Sequence, residues 1–501
     1  MYLISRVEWS RVVGILALAA VAPLLAVAAP ARPQRFILDH DGHAQFSTLT
    51  TDFRADLDEE VQEIPANVTT FLLCCGAGRF YFPTKVGLVD PNLKQLLAEH
   101  AKGNDPFGYF LEKLHASGRE TFITYRMNDV HNPTAENGWN LPLVRLQHPD
   151  AIARPEAAAR NDAEWMNWSL DFSRPEVQTY VRAMLTEVVE RYANTIDGLQ
   201  LDWMRFPRHL SGVGDEVWAK RQFLTQIVEM ARELTKKHGL KLAVRVPSTP
   251  HGCRVIGVDV ADWSRRGLVD FVTVSEFLDT DFQMPIGEFH EMCGPAMPIY
   301  ASIEIEHGWQ QHCAESLRGA ATGLYACGAD GLSLFNFVGH AEFGVVPYEW
   351  LAGLESPASA ARKPLLFSVP VNKYRKEMDQ QGLLPVQVPA HSTVTLPLTV
   401  PAAALPAWRA RILVAADAPI GVALGGHALE YIPTLHPSEL FLEYTPPVNS
   451  FSNISSHRPL RDQGRLYRFD SRLLQPGANT LELRNDSDNS IEVGRINLGL
   501  W

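Results

Sequence analysis

The segment TIDGLQLDWMRFP, residues 195–207, places a carboxylate, an indole and a guanidinium directly after a short apolar run. Leu199 and Leu201 alternate with polar residues, which is typical of a strand with one apolar face and one polar face. Asp202 ends the polar face, where a buried carboxylate is costly without a partner or a function. We therefore predict a chemical role for Asp202. The alternative is a structural aspartate that pairs with Arg205 or caps a turn.

Two further carboxyl groups end similar segments. In IYASIEIE the alternation sends Glu304 to the face opposite the isoleucines, whereas in FVTVSEF Glu276 falls on the face of the valines. Glu304 is therefore the preferred partner of Asp202, and Glu276 stays in reserve because a bulge or twist would redirect it. One carboxyl acting as nucleophile or base and a second acting as acid can together hydrolyse a glycosidic bond.

Polar and aromatic side chains that follow the same segments are candidates for binding a substrate. Arginine binds carboxylates and sulfates through paired hydrogen bonds, so Arg126 and Arg245 on inferred inner faces predict an anionic ligand. The alternative is that these arginines neutralise carboxylates of the protein itself. The predicted binding residues are Asp41, Arg126, Asn128, Asp129, His131, Trp168, Trp203, Arg205, Arg245 and Asn336.

A long connection, residues 130–173, carries Trp139, Trp165 and Trp168. Long loops are commonly functional, and indole faces suit stacking against sugar rings. The alternative is a small hydrophobic plug that holds the loop down.

Eight short segments rich in β-branched residues alternate with amphipathic helical stretches between residues 35 and 354. They span residues 35–41, 69–75, 121–129, 197–205, 241–247, 270–277, 298–306 and 330–337. This alternation predicts a parallel (β/α)8 TIM barrel in the α/β class. A doubly wound sheet is the runner-up, but no glycine-rich phosphate loop follows the first strand. In a barrel the carboxyl ends of all strands meet at one rim, where the candidate residues would converge.

The rest of the chain predicts an export signal and a second domain. Residues 355–364 form a linker rich in Pro, Ala and Ser, and from residue 365 onward the pattern is that of an all-β sandwich. Basic residues and a short apolar run with small residues predict a signal peptide over residues 1–29, with a membrane anchor as the alternative. We therefore expect a catalytic barrel over residues 30–356 and a β-sandwich accessory domain over residues 365–501.

The composition limits partners and cofactors. The formal net charge of -12 argues against nucleic acid as a partner. The six cysteines fit no zinc pattern, and we expect no cofactor or metal. They are expected to be mostly buried thiols, with room for one bridge among Cys293, Cys313 and Cys327. The expected partner is a carbohydrate, with no stable membrane insertion after signal cleavage.

Two stretches resemble a known group of enzymes. SLDFSRPEVQTYVRAMLTEVVERYANTIDGLQLDWMRFP (169–207) and YRMNDVH (125–131) resemble family-10-like bacterial glycosidases, TIM-barrel proteins related at barrel level to the α-amylase superfamily. The resemblance covers the barrel and leaves out residues 365–501. It implies that Asp202, on the fourth strand, is the nucleophile. It places the acid on the fifth or sixth strand, but the fifth strand here offers Arg245 and no carboxylate.

These observations together predict an exported glycoside hydrolase, periplasmic or extracellular, that acts on an anionic poly- or oligosaccharide bearing uronate or sulfate groups. Two alternatives stay open. A polysaccharide lyase would neutralise a uronate with an arginine and use His131 or Tyr125 as base. A non-catalytic barrel would bind glycans without turnover.

Overall fold

The fold is known from a computed structural model, which describes residues 34–76, 78–130, 141–153, 168–307, 310–337, 347–371, 378, 380, 382–433 and 464–501. Within these ranges no helix combines the length and apolar character needed to cross a bilayer. The predicted signal segment lies outside them, and so do His131, Trp139 and Trp165.

Eight parallel strands close into a barrel, which confirms the predicted fold. Their order around the barrel is β1-β2-β3-β4-β5-β6-β7-β10, with β10 closing against β1. The barrel strands are β1 Phe36–His40, β2 Thr70–Cys74, β3 Glu120–Arg126, β4 Gly198–Asp202, β5 Lys241–Pro247, β6 Phe271–Ser275, β7 Ile299–Ile303 and β10 Gly331–Phe335. A two-residue pair, β8 Glu306–His307 and β9 Gln310–Gln311, lies between β7 and β10 in the chain.

Helices follow the strands along the chain, as the alternating pattern predicts. The helix α6 begins with a proline in its first turn, where a missing N–H costs nothing. The helical stretch between β4 and β5 consists of two helices, α7 and α8. The helices are α1 His43–Ser47, α2 Phe53–Glu63, α3 Lys94–Ala101, α4 Pro106–Ala116, α5 Leu143–Gln147, α6 Pro175–Tyr192, α7 Asp215–Ala219, α8 Gln222–Lys237, α9 Pro250–Val255, α10 Val260–Arg265, α11 Ile286–Cys293, α12 Ala314–Ala326 and α13 Pro357–Ala360.

An apolar layer fills the barrel near the amino ends of its strands. It is built from side chains that point inward from six strands, namely Ile37, Leu72, Phe122, Ala243, Phe271 and Tyr300. Phe271 packs edge-on against both Phe122 and Tyr300, with ring centroids 5.5 and 5.3 Å apart. Polar and charged residues follow at the next inward positions, so this layer is the floor beneath the site.

The second domain is a pair of antiparallel sheets, as predicted. One sheet has the order β11-β20-β14-β18-β17 with β12 also pairing to β20, and the other has the order β13-β19-β15-β16. The strands are β11 Leu365–Ser368, β12 Val386–Val388, β13 Ser392–Val400, β14 Ala410–Ala416, β15 Gly421–Leu424, β16 His427–Ala428, β17 Glu430–Tyr431, β18 Gly464–Phe469, β19 Gly477–Asn485 and β20 Ile491–Leu500.

The two domains meet where α12 lies against β11. A Cβ atom on Gly319 of α12 would lie 1.8 Å from the carbonyl oxygen of Leu366, so the two backbones approach at a distance that only glycine permits. Leu365 and Phe367, which lie on either side of Leu366 in β11, are buried in the same core as the barrel helices. The interface is therefore apolar and closely packed.

The cysteines correct one expectation. All six are free thiols, so the bridge considered among Cys293, Cys313 and Cys327 is wrong.

Candidate active site

Asp202 lies at the carboxyl end of β4 and is fully buried. Its Oδ1 accepts hydrogen bonds from the backbone N–H groups of Met204 (2.9 Å) and Arg205 (3.0 Å). Its Oδ2 accepts one from Nη1 of Arg245 at 3.0 Å. The residue therefore caps the turn after β4, as the structural alternative expects, and it forms its ion pair with Arg245.

Arg245, on β5, joins Asp202 to a second carboxyl group. Its Nη2 donates to Oε1 of Glu304 and, at 2.9 Å, to Oγ of Ser275. Its guanidinium carbon lies 3.8 Å from the ring centre of Phe335, which covers one face of the cation. A planar, delocalised cation with five donors suits this bridging position better than lysine would.

Glu304 follows β7, as the alternation predicted, and it too is fully buried. Its Oε1 accepts a further hydrogen bond from Ser275 at 2.8 Å, whereas its Oε2 has no hydrogen-bond partner within the described part of the chain. Burial raises the pKa of Glu304, and the positive charge of Arg245 offsets part of that shift. Glu304 therefore has one oxygen held in place and a second, buried oxygen with no hydrogen-bond partner among the described residues.

The backbone of Glu304 is clamped by residues that the sequence patterns did not reveal. The hydroxyl of Thr280 accepts from the Glu304 N–H at 2.9 Å, and Nε2 of His312 lies 3.1 Å from the same hydroxyl. Both residues lie beyond strand ends, where strand alternation gives no prediction.

Glu276 is buried after β6, and its Oε1 accepts a hydrogen bond from Ser248, which follows β5. Alternation placed this side chain on the valine face. The backbone turns just beyond it, because Leu278 has a positive φ of 52°.

A second arginine at the rim is also bound to carboxylates. Nη2 of Arg126 lies 2.9 Å from Oδ1 of Asp41, and Nη1 lies 3.1 Å from Oδ2 of Asp129. Only 1% of the Arg126 side chain is exposed. These three predicted residues are thus brought together as an ion-paired group that joins the ends of β1 and β3.

Arg205 contacts aromatic rings. Its guanidinium carbon lies 4.9 Å from the ring centre of Phe206 and 5.5 Å from that of Phe277. Burial, with the nearby charge of Arg126, lowers the pKa of Arg205 from its ordinary value. The side chain therefore lies in the same charged layer as the two other rim arginines.

Two other predicted residues have structural contacts. Asn128 donates to the carbonyl of Arg208 at 2.6 Å and accepts from the Leu170 N–H at 2.8 Å, so it ties three loops together. Trp203 is fully buried between Phe172 and Trp263, with its ring centroid 5.6 and 5.9 Å from theirs. Its indole has no exposed face for a sugar in this arrangement.

The remaining predicted residues differ in their placement. Trp168 is half-buried beneath the guanidinium of Arg145, 5.4 Å from its ring centre. Asn336 is buried after β10 and donates its backbone N–H to the carbonyl of Asp39 at 2.9 Å.

Asp39 is an inward-facing carboxyl group that the predicted site omitted. Its Oδ2 accepts from Nε2 of Gln200 at 2.9 Å, and its Oδ1 has no hydrogen-bond partner within the described residues. Burial raises its pKa to about 7, with Asp202 adding to the shift and Arg245 opposing it. Strand alternation does place Asp39 on the same face as Asp41, so the sequence pattern could have identified it as a lumen residue.

Backbone strain is concentrated at this rim. Among the described residues, four non-glycine residues have a positive φ, and three of them follow barrel strands: Phe206 at 54°, Leu278 at 52° and Asn336 at 61°. For Phe and Leu this conformation is unfavourable, and such strain occurs preferentially at functional sites.

The fold and rim thus define a (β/α)8 barrel whose carboxyl groups are joined by arginines at the carboxyl ends of the strands. No family model matches the sequence, and neither does any curated protein. The predicted resemblance to family-10-like glycosidases therefore stays a prediction.

Solved structures with a similar fold include hydrolases. A chitinase from Chromobacterium violaceum is 11% identical, with 66% of this chain and 99% of that chain covered and a TM-score of 0.35. The PgaB glycoside hydrolase domain from Bordetella bronchiseptica is 11% identical over 65% and 99%, with a TM-score of 0.41. An alpha-L-fucosidase from Paenibacillus thiaminolyticus is 13% identical over 90% and 96%, with a TM-score of 0.33. Because these identities and TM-scores are low, the proposed activity rests on the side chains of the rim.

Proposed function

We propose that the protein is a glycoside hydrolase that works with Asp202 and Glu304 as its carboxyl pair. The observation that carries the proposal is that a single guanidinium, that of Arg245, contacts both carboxyl groups at the functional end of a TIM barrel. Glycoside hydrolysis requires two carboxyl groups in different environments, one ionised and one protonated. The two groups here lie in different environments, because both oxygens of Asp202 accept hydrogen bonds, whereas burial raises the pKa of Glu304 and its Oε2 has no hydrogen-bond partner within the described residues.

Glu304 fits the role of acid. Its pKa is raised by burial, and its Oε2 is buried without a partner within the described residues, so a proton there could be donated to a leaving oxygen. Asp202 fits the role of nucleophile or base. Its orientation is set by three hydrogen bonds, from Met204, Arg205 and Arg245, which would hold it against the anomeric carbon.

Substitution of Glu304 is the cleaner test, because the NH2 group of a glutamine can replace Oε2 without facing a hydrogen-bond donor among the described residues. We expect Glu304→Gln to slow hydrolysis of natural glycans far more than hydrolysis of aryl glycosides, whose good leaving group needs little acid assistance. Glu276→Gln serves as the matched control. Equal losses of rate on both substrates would refute the acid role, and the same selective loss at Glu276 would transfer it there.

Asp202→Asn would place an NH2 group against N–H donors, so its loss of activity alone would be ambiguous. Asp202→Ala leaves room for a small anion instead. If Asp202 is the nucleophile, azide should restore turnover of an aryl glycoside and yield a glycosyl azide. A folded variant that azide does not rescue, or one that keeps more than a few per cent of the wild-type rate, would contradict the assignment.

A non-catalytic glycan-binding barrel is the second candidate. It is favoured by the full burial of Asp202, whose two oxygens already have protein partners. Binding of oligosaccharides without release of reducing ends would support it. The lyase alternative is weaker, because Tyr125 is buried and packs against Phe80, with the two ring centroids 6.2 Å apart. Burial also raises the pKa of Tyr125 well above its ordinary value, which does not suit a base. His131 lies outside the described residues.

We further propose that the enzyme is exported, on the strength of its signal-like first 29 residues. The predicted anionic substrate has less support at the rim, because Arg126 and Arg245 are bound to carboxylates and thus fit the alternative of internal neutralisation. Rates on matched neutral and uronate-containing glycans test this point directly.

A further inference from the structure

A surface cavity of about 550 Å³ lies on the second domain, near the start of β14 and the end of β18. Its lining includes Trp408, three arginines and one aspartate, and it involves none of the barrel residues described above. We propose that this cavity binds an anionic glycan, with a sugar ring stacked on Trp408 and a carboxylate or sulfate held by the neighbouring arginines.

Trp408 provides the stacking surface. It is 72% exposed, more than any other large apolar side chain of the described residues. Its backbone is nevertheless fixed, because the Trp408 N–H donates to the carbonyl of Trp501 at 2.8 Å and the Trp501 N–H donates to the carbonyl of Arg409 at 3.0 Å. An exposed indole on a rigid backbone offers a large apolar face at a low entropic cost of binding.

Arg409 is held beside this indole. Its guanidinium carbon lies 4.2 Å from the ring centre of Trp408 and 5.1 Å from that of Trp501. A guanidinium that stacks on aromatic faces keeps its N–H groups at the edge of the stack, where they can donate to an anion. The stack therefore presents an apolar face and a row of donors side by side.

Two further arginines extend the positive charge. Arg411 on β14 and Arg468 on β18 are direct cross-strand partners, and like charges in this position destabilise a sheet. Glu430 offsets part of that cost by accepting two hydrogen bonds from Arg468, at 2.7 and 2.6 Å. Arg468 stays 61% exposed, so a ligand can reach it.

The chemistry favours an acidic carbohydrate over other ligands. The protein has a net charge of -12, so a local excess of arginine is needed wherever it binds an anionic polymer. Arginine pairs bidentately with carboxylate and sulfate, and the adjacent indole matches a sugar ring. The inference does not depend on hydrolysis in the barrel, because a binding site on this domain would retain glycan even if no bond were cut.

Affinity electrophoresis of the full chain tests the proposal. The probes are polygalacturonate, alginate and dextran sulfate, with methyl-esterified polygalacturonate and dextran as neutral matches. We expect at least one acidic polymer to retard the protein more than its neutral match, and added salt to weaken that retardation. Trp408→Ala should weaken binding by about tenfold, and Arg409→Gln should weaken it and reduce its dependence on salt.

Matched controls come from the same domain. Tyr431→Ala removes an exposed aromatic ring that does not line the cavity, and Arg484→Gln removes an exposed arginine on the other sheet; neither should change retardation. Retardation by none of the acidic polymers, equal retardation by neutral matches, or unchanged binding in Trp408→Ala would each overturn the proposal. Retention of an acidic polymer by a protein that hydrolyses neither glycans nor aryl glycosides would count against the proposed function while leaving this inference intact.

Discussion

Asp39 should make the stability of the protein depend on pH in a way that one substitution removes. The carboxyl group is 1% exposed in the barrel lumen, and its pKa is raised from 3.8 to about 7. Below pH 3.8 the group is neutral in the folded and the unfolded chain. Between pH 3.8 and 7 the unfolded chain loses the proton while the folded chain keeps it, so stability falls as pH rises.

Above pH 7 the full cost of the buried charge is present. A difference of about three pKa units corresponds to roughly 4 kcal/mol. Asparagine at this position cannot ionise, and its oxygen can still accept the hydrogen bond from Gln200. Relative to wild type, Asp39→Asn should therefore gain up to about 4 kcal/mol of unfolding free energy between pH 4 and pH 8.5.

Urea denaturation of both proteins across this pH range measures the difference, so that other titrating groups cancel. Asp41→Asn, directly after the same strand, is the matched control. It removes a partner of the buried Arg126 and should lower stability instead of raising it. If the difference between Asp39→Asn and wild type changes by less than about 1 kcal/mol across the range, Asp39 does not hold a proton in the folded protein.

Three further predictions follow from the site and the domain interface. Because burial raises the pKa of Glu304, the rate on unactivated glycans should fall only as pH rises through a value above the ordinary glutamate range, and Glu304→Gln should lose this limb of the pH profile. Two nitrogens of the Arg245 guanidinium contact Asp202 and Glu304, so we expect the two carboxyl groups to be separated by the roughly 5–5.5 Å that is typical of retaining enzymes. NMR of the first product should show retained configuration at the anomeric carbon, and an inverted product would contradict this. Gly319→Ala should lower the thermal midpoint by several degrees, because its Cβ would overlap the Leu366 carbonyl; an unchanged midpoint would show that the domains can separate slightly.

The barrel was predictable from sequence because its strands carry the signal locally. In β5 the predicted bounds, residues 241–247, match the observed strand, since Leu242, Val244 and Val246 alternate with the lumen-facing residues. The same alternation placed Asp202, Arg245 and Glu304 on one inner surface, which the contacts of Arg245 bear out. A two-residue period is a property of the extended backbone and needs no tertiary information.

The contacts beyond strand ends were not predictable for the same reason. Once the backbone turns, as at Leu278 with its positive φ, alternation no longer says where a side chain points. Glu276, Thr280 and His312 all lie in such turns or loops. Their partners depend on how neighbouring loops meet, and a local pattern does not carry that information.

The rim arginines show the same limit: their faces could be predicted from the local sequence, whereas their partners depend on the tertiary structure. Alternation gave Arg126 and Arg245 an inner face, but it left open whether each would meet a substrate or a carboxylate of the protein. In the structure both guanidinium groups contact two carboxyl groups each, so breaking either pair would leave a costly buried charge. An acidic substrate would have to compete with those carboxylates at the rim. Beside Trp408, Arg468 is 61% exposed even though Glu430 accepts two hydrogen bonds from it, whereas only 1% of the Arg126 and Arg245 side chains is exposed. We therefore expect the cavity of the second domain to be a better site for an acidic sugar than the rim of the barrel.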